Sequence, residues 1–208
     1  VSDNTDCNDN SYSLTNSCSS IVNAKLYFEG YYSGNGSMTS ARMNRGVSAN
    51  ATEVETITVE LRNQNNYSLV DTTTASLLTD GTATCTFATA PTGSFYLVIK
   101  GSNIVETWSG NPIAVGSTPV SYDFTNQGTK AYGSNMKEME PGVWALYSGD
   151  INGDGNVDNG DYSIWETDAN NFESGDFITD LNGDGNVDNG DYSIWETNAN
   201  NFIFKITP

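Results

Sequence analysis

The chain has 208 residues, 37% of them hydrophobic and 11% aromatic, which supplies a packed core and excludes global disorder. Its formal net charge of −18, from 26 acidic against 8 basic residues, argues against nucleic acid and anionic membrane surfaces as partners. Histidine is absent, so Ser-His, Cys-His and His-zinc chemistry are excluded, and no apolar run approaches the roughly 18–20 residues of a membrane span.

In chain order, residues 1–21 form an Asx-rich lead segment in which Cys7 and Cys18 flank a polar loop. A disulfide between them is expected, implying an oxidising compartment. The chain opens on Val1 rather than Met and reads as a processed or excised product. Residues 22–125 then read as β almost throughout. The runs VNAKLYFEGYY (22–32), VETITVELR (54–62), SLVDTTTASLL (68–78), TATCTFA (82–88) and SFYLVIKG (94–101) are rich in Thr, Val and aromatics. Shorter runs follow at 104–108, 112–115 and 119–124, and Asp80-Gly81, Pro91-Thr92-Gly93 and Gly110-Asn111-Pro112 mark turns. Seven or eight short strands with alternating faces predict an immunoglobulin-like antiparallel β-sandwich over residues 22–147. Cys85, on the same strand face as Ala83 and Phe87, is expected to be a buried small apolar residue. The stretch 33–52, which carries Arg42 and Arg45, is long for a hairpin loop and is expected to be functional or mobile. Pro141 to Tyr147 joins the sandwich to the C-terminal stretch without a Gly/Ser spacer, which predicts rigid packing of the two parts.

That C-terminal stretch contains a 23-residue segment written twice. Asp150–Phe172 and Asp180–Phe202 differ only at Ile151/Leu181 and Asp168/Asn198. Each copy opens with D-x-N-x-D-G-x-V-D-x-x-D, the oxygen-ligand spacing of an EF-hand calcium loop. Asp150, Asn152 and Asp154 take positions one, three and five; Asn156 offers its carbonyl at seven, Asp158 sits at nine and Asp161 at twelve. Asp180, Asn182, Asp184, Asn186, Asp188 and Asp191 repeat the pattern, with Gly155 and Gly185 at the sharp turns. Val157 at position eight is expected to let the two loops pair through a β-bridge. Residues 148–202 hold 13 of the 26 acidic residues and no Lys or Arg, a density that repels itself unless a divalent ion is bound. Two calcium ions are therefore expected in a unit spanning 148–208. The closing FIFKI is expected to be a strand with Phe202, Phe204 and Ile206 on one face, completing a sheet edge in its own chain or in the next.

Position twelve is Asp rather than Glu, and only the exiting segment after each loop looks helical. This tandem of loop and helix resembles the dockerin module over residues 149–202. The resemblance implies two loop–helix units packed by a pseudo-two-fold, and a cohesin partner. Tyr162, Ile164, Trp165 and their copies Tyr192, Ile194 and Trp195 then supply the apolar face at helical spacing, as core or as a partner-binding face. The stretches TITVELRN (56–63), GSFYLVIKGSNIVETWSGNPI (93–113) and AYGSNMKEMEPGVWALYSGDINGDG (131–155), with the closing NFIFKITP, resemble C-terminal modules of large secreted and cell-surface proteins of gliding bacteria. That resemblance implies an extracellular, calcium-stabilised, non-catalytic module. The lead segment is similar to the tail of an extracellular DC-x-D repeat. Asp3, Asp6 and Asp9 could hold a third calcium there, the alternative being a solvated, disulfide-pinned lead.

No G-x-S-x-G, P-loop or dinucleotide fingerprint occurs, and Glu29, Glu60 and Glu106 read most simply as outward-facing strand carboxylates. No catalytic residue is expected. The reading is a non-catalytic extracellular structural or adhesive protein, rigidified by calcium and open to self-assembly into a surface filament. The alternative is a dockerin-like or glycan-binding module of a larger secreted protein. Expected partners are its own copies or another surface protein, with glycan stacking if Trp108 and Trp144 lie exposed together.

Overall fold

Strict alternation of buried and exposed positions along Thr82–Phe87 puts Ala83, Cys85 and Phe87 on an inner face and the threonines outside, the period-two signature of a half-buried strand. A computed structural model describes residues 19–89 and 91–208. Cys7 and Cys18, and Asp3, Asp6 and Asp9, lie outside the described residues. The elements are β1 (Ser20–Lys25), β2 (Tyr32–Gly34), β3 (Ser37–Met38), α1 (Ala41–Asn44), β4 (Glu53–Asn63), β5 (Leu69–Leu78), β6 (Thr82–Phe87) and β7 (Gly93–Lys100). They continue as β8 (Thr107–Trp108), β9 (Ile113–Val115), β10 (Val120–Asp123), β11 (Lys137–Glu140), β12 (Val143–Ala145), α2 (Asn159–Asn170) and α3 (Asn189–Asn200).

The chain is mostly β, arranged as a sandwich. One sheet has the order β5-β4-β7-β8, with β9 also paired to β7; the facing sheet is β10-β1-β6. Val22 and Ala24 of β1, Ile57, Val59 and Leu61 of β4, Phe87 of β6 and Leu97 and Ile99 of β7 fill one core between the sheets. Asp80-Gly81 carries the chain from β5 in one sheet to β6 in the other. Gly81 has φ +85°, and a Cβ there would lie 2.6 Å from the Tyr27 ring, so the crossing requires glycine. The expected all-antiparallel pairing fails at one ladder: β10 runs parallel to β1, in the register Val22 with Val120.

Three further expectations are corrected. The run 22–32 is not one strand: β1 stops at Lys25, and Tyr27, Phe28 and Tyr31 turn inward, with Phe28 bridged to Leu146. The stretch 33–52 is a β2–β3 hairpin followed by α1, and it buries Met38, Ala41 and Arg45. Residues 141–147 are not a plain link, because β12 returns on β11 and Leu146 N–H donates to the Tyr27 carbonyl at 2.8 Å. Cys85 is buried, and burial pushes its thiol up to about 12.

A second apolar cluster lies C-terminal to the sandwich, built from Val105, Ile151, Val157, Trp165, Leu181, Val187 and Trp195. Tyr162 packs on Trp195 and Trp165 on Tyr192, each at 5.1 Å between ring centroids, so α2 and α3 meet through four interleaved aromatics. The sandwich touches this layer closely. A Cβ on Gly30 would fall 1.9 Å from the Leu181 carbonyl oxygen, and one on Gly183 would fall 2.7 Å from the Ala41 methyl. Among the described residues, no helix is long and apolar enough to cross a membrane.

Candidate metal centre

Each twelve-residue loop runs into the first turn of a helix. Asp158 caps α2 by accepting the Gly160 N–H at 2.7 Å, and Asp161 reciprocates by accepting the Asp158 N–H at 2.9 Å. The other Asp161 oxygen accepts the N–H groups of Ile151 and Asn152, at 2.8 and 3.0 Å. One fully buried carboxylate thereby ties the start of the loop to its end. Asp150 is also buried, and its Oδ2 accepts the Gly155 N–H at 3.1 Å. Its Oδ1 is buried and has no hydrogen-bond partner among the described residues. Asn152, Asp154 and Asn156 form an exposed rim of Asx turns: Asp154 N–H donates to Asn152 Oδ1 and Asn156 N–H to Asp154 Oδ1, both at 2.8 Å.

The second loop repeats this frame except at Asp180. Asp188 caps α3, and Asp191 accepts from Leu181, Asn182 and Asp188. Asn182, Asp184 and Asn186 make the same rim. Asp180, however, is saturated. Its Oδ1 accepts from Gly183 at 2.8 Å and Asp184 at 3.2 Å, and its Oδ2 from Gly185 at 3.0 Å and from Arg45 Nε at 3.1 Å.

Burial makes these carboxylates reluctant to ionise. It pushes Asp150 up to about 6, with the Asp161 charge adding to the effect, and Asp191 up to about 7. Asp161 and Asp180 are raised for the same reason, Asp180 less freely because Arg45 opposes it. Asp154, on the rim, is held below the ordinary value by the Asn156 amide groups. Among the described residues no three Asp, Glu or Cys side chains converge as a metal cage; the loops as they stand are closed by hydrogen bonds. The donor set nevertheless suits a hard divalent cation. It is all oxygen, spaced for a twelve-residue wrap, and it presents a buried carboxylate oxygen with nothing to accept from.

The expected pairing of loop with loop does not occur. Val157 N–H donates to the Ile203 carbonyl, and Asn156 bridges Phe204; Val187 N–H donates to Glu173, and Asn186 bridges Ser174. Each loop thus pairs with the tail of one helix, loop one with that of α3 and loop two with that of α2. Residues 202–208 accordingly form no strand. They are held by main-chain bonds to the first loop, including Lys205 N–H to the Gly155 carbonyl at 2.6 Å.

Several residues at this centre carry no local sequence signal. Arg45 arrives from the far side of the chain. Asn103 donates to the Tyr31 hydroxyl at 3.0 Å and to the Ile178 carbonyl at 3.1 Å. Asn198 is buried and donates to Glu29 Oε2 at 2.6 Å and the Ser148 carbonyl at 2.8 Å, whereas Asp168, its counterpart, accepts from Thr179 at 2.7 Å. That difference between the repeats was the available clue. Glu29 and Glu60 are not outward-facing. Glu29 is buried against Lys137 and Asn198, and Glu60 against Lys100 and Arg62. Trp108 and Trp144 form no shared platform either: Trp108 is buried beneath Arg62 and Tyr96, while Trp144 lies on Gly128.

No family model matches the chain, and no curated protein matches it. Among solved structures it is similar to a chain of the type II cohesin–X-dockerin complex from Acetivibrio cellulolyticus carrying an N-terminal interface mutation. The TM-score is 0.52 at 14% identity, over 88% of this chain and 97% of that one. The C-terminal interface mutant of the same complex matches at a TM-score of 0.48 and 16% identity, over 86% of this chain and 94% of that one. The likeness is one of fold. The share of this chain covered in the first match exceeds residues 1–147, so that match runs past the sandwich into the loop–helix region.

Proposed function

We propose that the protein is a non-catalytic extracellular module in which a β-sandwich carries a dockerin-like pair of loops, each holding one calcium ion as a structural element. Asp150, Asn152, Asp154, Asn156, Asp158 and Asp161 would hold the first ion, and Asp180, Asn182, Asp184, Asn186, Asp188 and Asp191 the second. The observation that carries the reading is the buried, unpartnered Oδ1 of Asp150 at the head of a loop whose far end is fixed by Asp161. A bound divalent ion satisfies that oxygen and offsets the carboxylate density around it. The module then acts by presenting a rigid surface. Thermal melting in millimolar calcium and again in excess chelator tests this; a melting temperature unchanged between the two contradicts it.

A second aspect concerns a protein partner, and it rests on two phenylalanines. Phe172 and Phe202 occupy equivalent places just beyond α2 and α3, are 89% and 82% exposed, and have φ of 55° and 53°. An aromatic residue in the left-handed region that buries nothing is costly to both backbone and solvent. Such paired residues suit contact with another surface protein, in keeping with the cohesin–dockerin setting of the structural neighbours. Loss of binding to a captured surface protein in the Phe172→Ser, Phe202→Ser double variant, with melting unchanged, is the expected result.

A further inference from the structure

The two loops are nearly identical in sequence but sit in different electrostatic surroundings. Arg45, 6% exposed, lays its guanidinium against loop two: Nε on Asp180 Oδ2 at 3.1 Å and Nη2 on the Asp180 carbonyl at 2.8 Å. Its remaining donors go to Glu55 at 3.2 Å and to the Tyr31 hydroxyl, and the Tyr31 ring lies 5.3 Å from its central carbon. Asn103 closes the same pocket from the sandwich side. Among the described residues, no cationic side chain bonds Asp150 in loop one. Lys205 passes loop one at Gly155 and its charge reaches Asp154 on the rim, but it is about one-third exposed and leans toward Glu106 at 3.8 Å. Among the described residues Asp150 Oδ1 has no donor and Oδ2 has only the Gly155 N–H, whereas Asp180 Oδ1 is filled by its own loop's Gly183 and Asp184 N–H groups and Oδ2 by Gly185 and Arg45.

We infer that Arg45 is a resident cation of loop two, which keeps that loop in shape without metal and makes it the weaker of the two calcium sites. The inference rests on the calcium reading above. A fixed guanidinium on a ligand carboxylate supplies part of the positive charge that a divalent ion would bring, and it repels that ion at close range. Even with solvent-like screening, a unit charge within one or two side-chain contacts of a divalent ion costs on the order of tenfold in affinity. Loop two thus serves as a permanent clamp between sandwich and helix pair, and loop one as the part that responds to calcium.

The test is a calcium titration of the full chain followed by the amide resonances of Gly155 and Gly185, which donate to Asp150 and Asp180 respectively. The expected result is movement of Gly155 at calcium concentrations about tenfold or more below those that move Gly185. In Arg45→Gln the gap should close from the Gly185 side, while Arg45→Lys, keeping the charge, should hold most of it. Both amides moving together in the unaltered chain, or Gly185 first, overturns the inference and leaves the calcium reading standing. Neither moving in millimolar calcium overturns both. Should Arg45→Gln fail to fold, the order of the two amides in the unaltered chain still decides the matter.

Discussion

Replacing Asn198 by Asp copies into the second repeat what the first repeat already has, yet the structure predicts a large cost. Asn198 donates both amide hydrogens, to Glu29 Oε2 at 2.6 Å and to the Ser148 carbonyl at 2.8 Å, in a site that is 1% exposed. A carboxylate there has no hydrogen to give and sets a second negative charge against Glu29. The Ser148 carbonyl left unmet costs about 1–3 kcal/mol and an uncompensated buried charge about 3–5 kcal/mol, with the Lys137 ammonium and the Ser148 N–H on Glu29 relieving part of it. We expect Asn198→Asp to lose about 3–5 kcal/mol, a fall of roughly 6–20 °C in melting temperature for a chain of this size. The reciprocal Asp168→Asn should change little, because Thr179 needs only an acceptor and the amide oxygen provides one. Denaturant melts of both variants in calcium provide the assay. The loss in Asn198→Asp should shrink as pH falls from about 7 toward about 4, because the buried carboxyl beside Glu29 takes up a proton above its ordinary value and regains a donor. An Asn198→Asp chain within about 0.5 kcal/mol of the parent at about pH 7 would refute the account of how sandwich and helix pair are joined.

Other outcomes rest on the same contacts. In the metal-free chain the contribution of Asp150 and Asp191 to stability should be full below about pH 4 and lost as pH rises through about 6 to 7. Asp150 and Asp191 fold with raised proton affinity and must ionise while buried, and millimolar calcium should flatten or reverse that slope in melting curves. Gly30→Ala should destabilise by at least about 1–3 kcal/mol, since its methyl would meet the Leu181 carbonyl and force the layers apart. Removing residues 203–208 should weaken calcium binding at loop one and spare loop two, because only the first loop pairs with that tail; equal loss at both, read from the two glycine amides, counts against this pairing. Phe172→Gly should gain about 1 kcal/mol in a denaturant melt by relieving a left-handed backbone while leaving calcium affinity unchanged.

The strands that could be read from sequence are those that alternate in burial or run long in Val, Thr and aromatics. β4, β5, β6 and β7 begin and end within a residue or two of the expected limits. The β2–β3 hairpin and α1 escaped because Ser33 to Thr52 has no apolar period; its order comes from Ala41 and Arg45 seating on the C-terminal layer. Spacing alone picked out the Asx residues of both loops as a calcium-type pattern, but it was not read as the reciprocal cap that Asp158 and Asp161 make at the start of α2. The partners of these residues were not legible. Arg45 lies 135 residues from Asp180, and Glu29 lies 169 from Asn198, distances over which no local pattern operates. Pairing of each loop with a helix tail was hidden because the EF-hand spacing orders the residues within a loop and not the neighbour of position eight. A terminal run of Phe, Ile and Phe looks like a strand, but here its main chain is spent on one loop and no ladder forms.

Native mass spectrometry of the unaltered chain and of Asp150→Ala, each equilibrated with calcium at increasing concentration, addresses the central claim most directly. The account predicts two calcium ions on the parent and one on the variant, the survivor being the ion at loop two. A parent that takes up no calcium at millimolar concentration, or a variant that still takes up two, would contradict it.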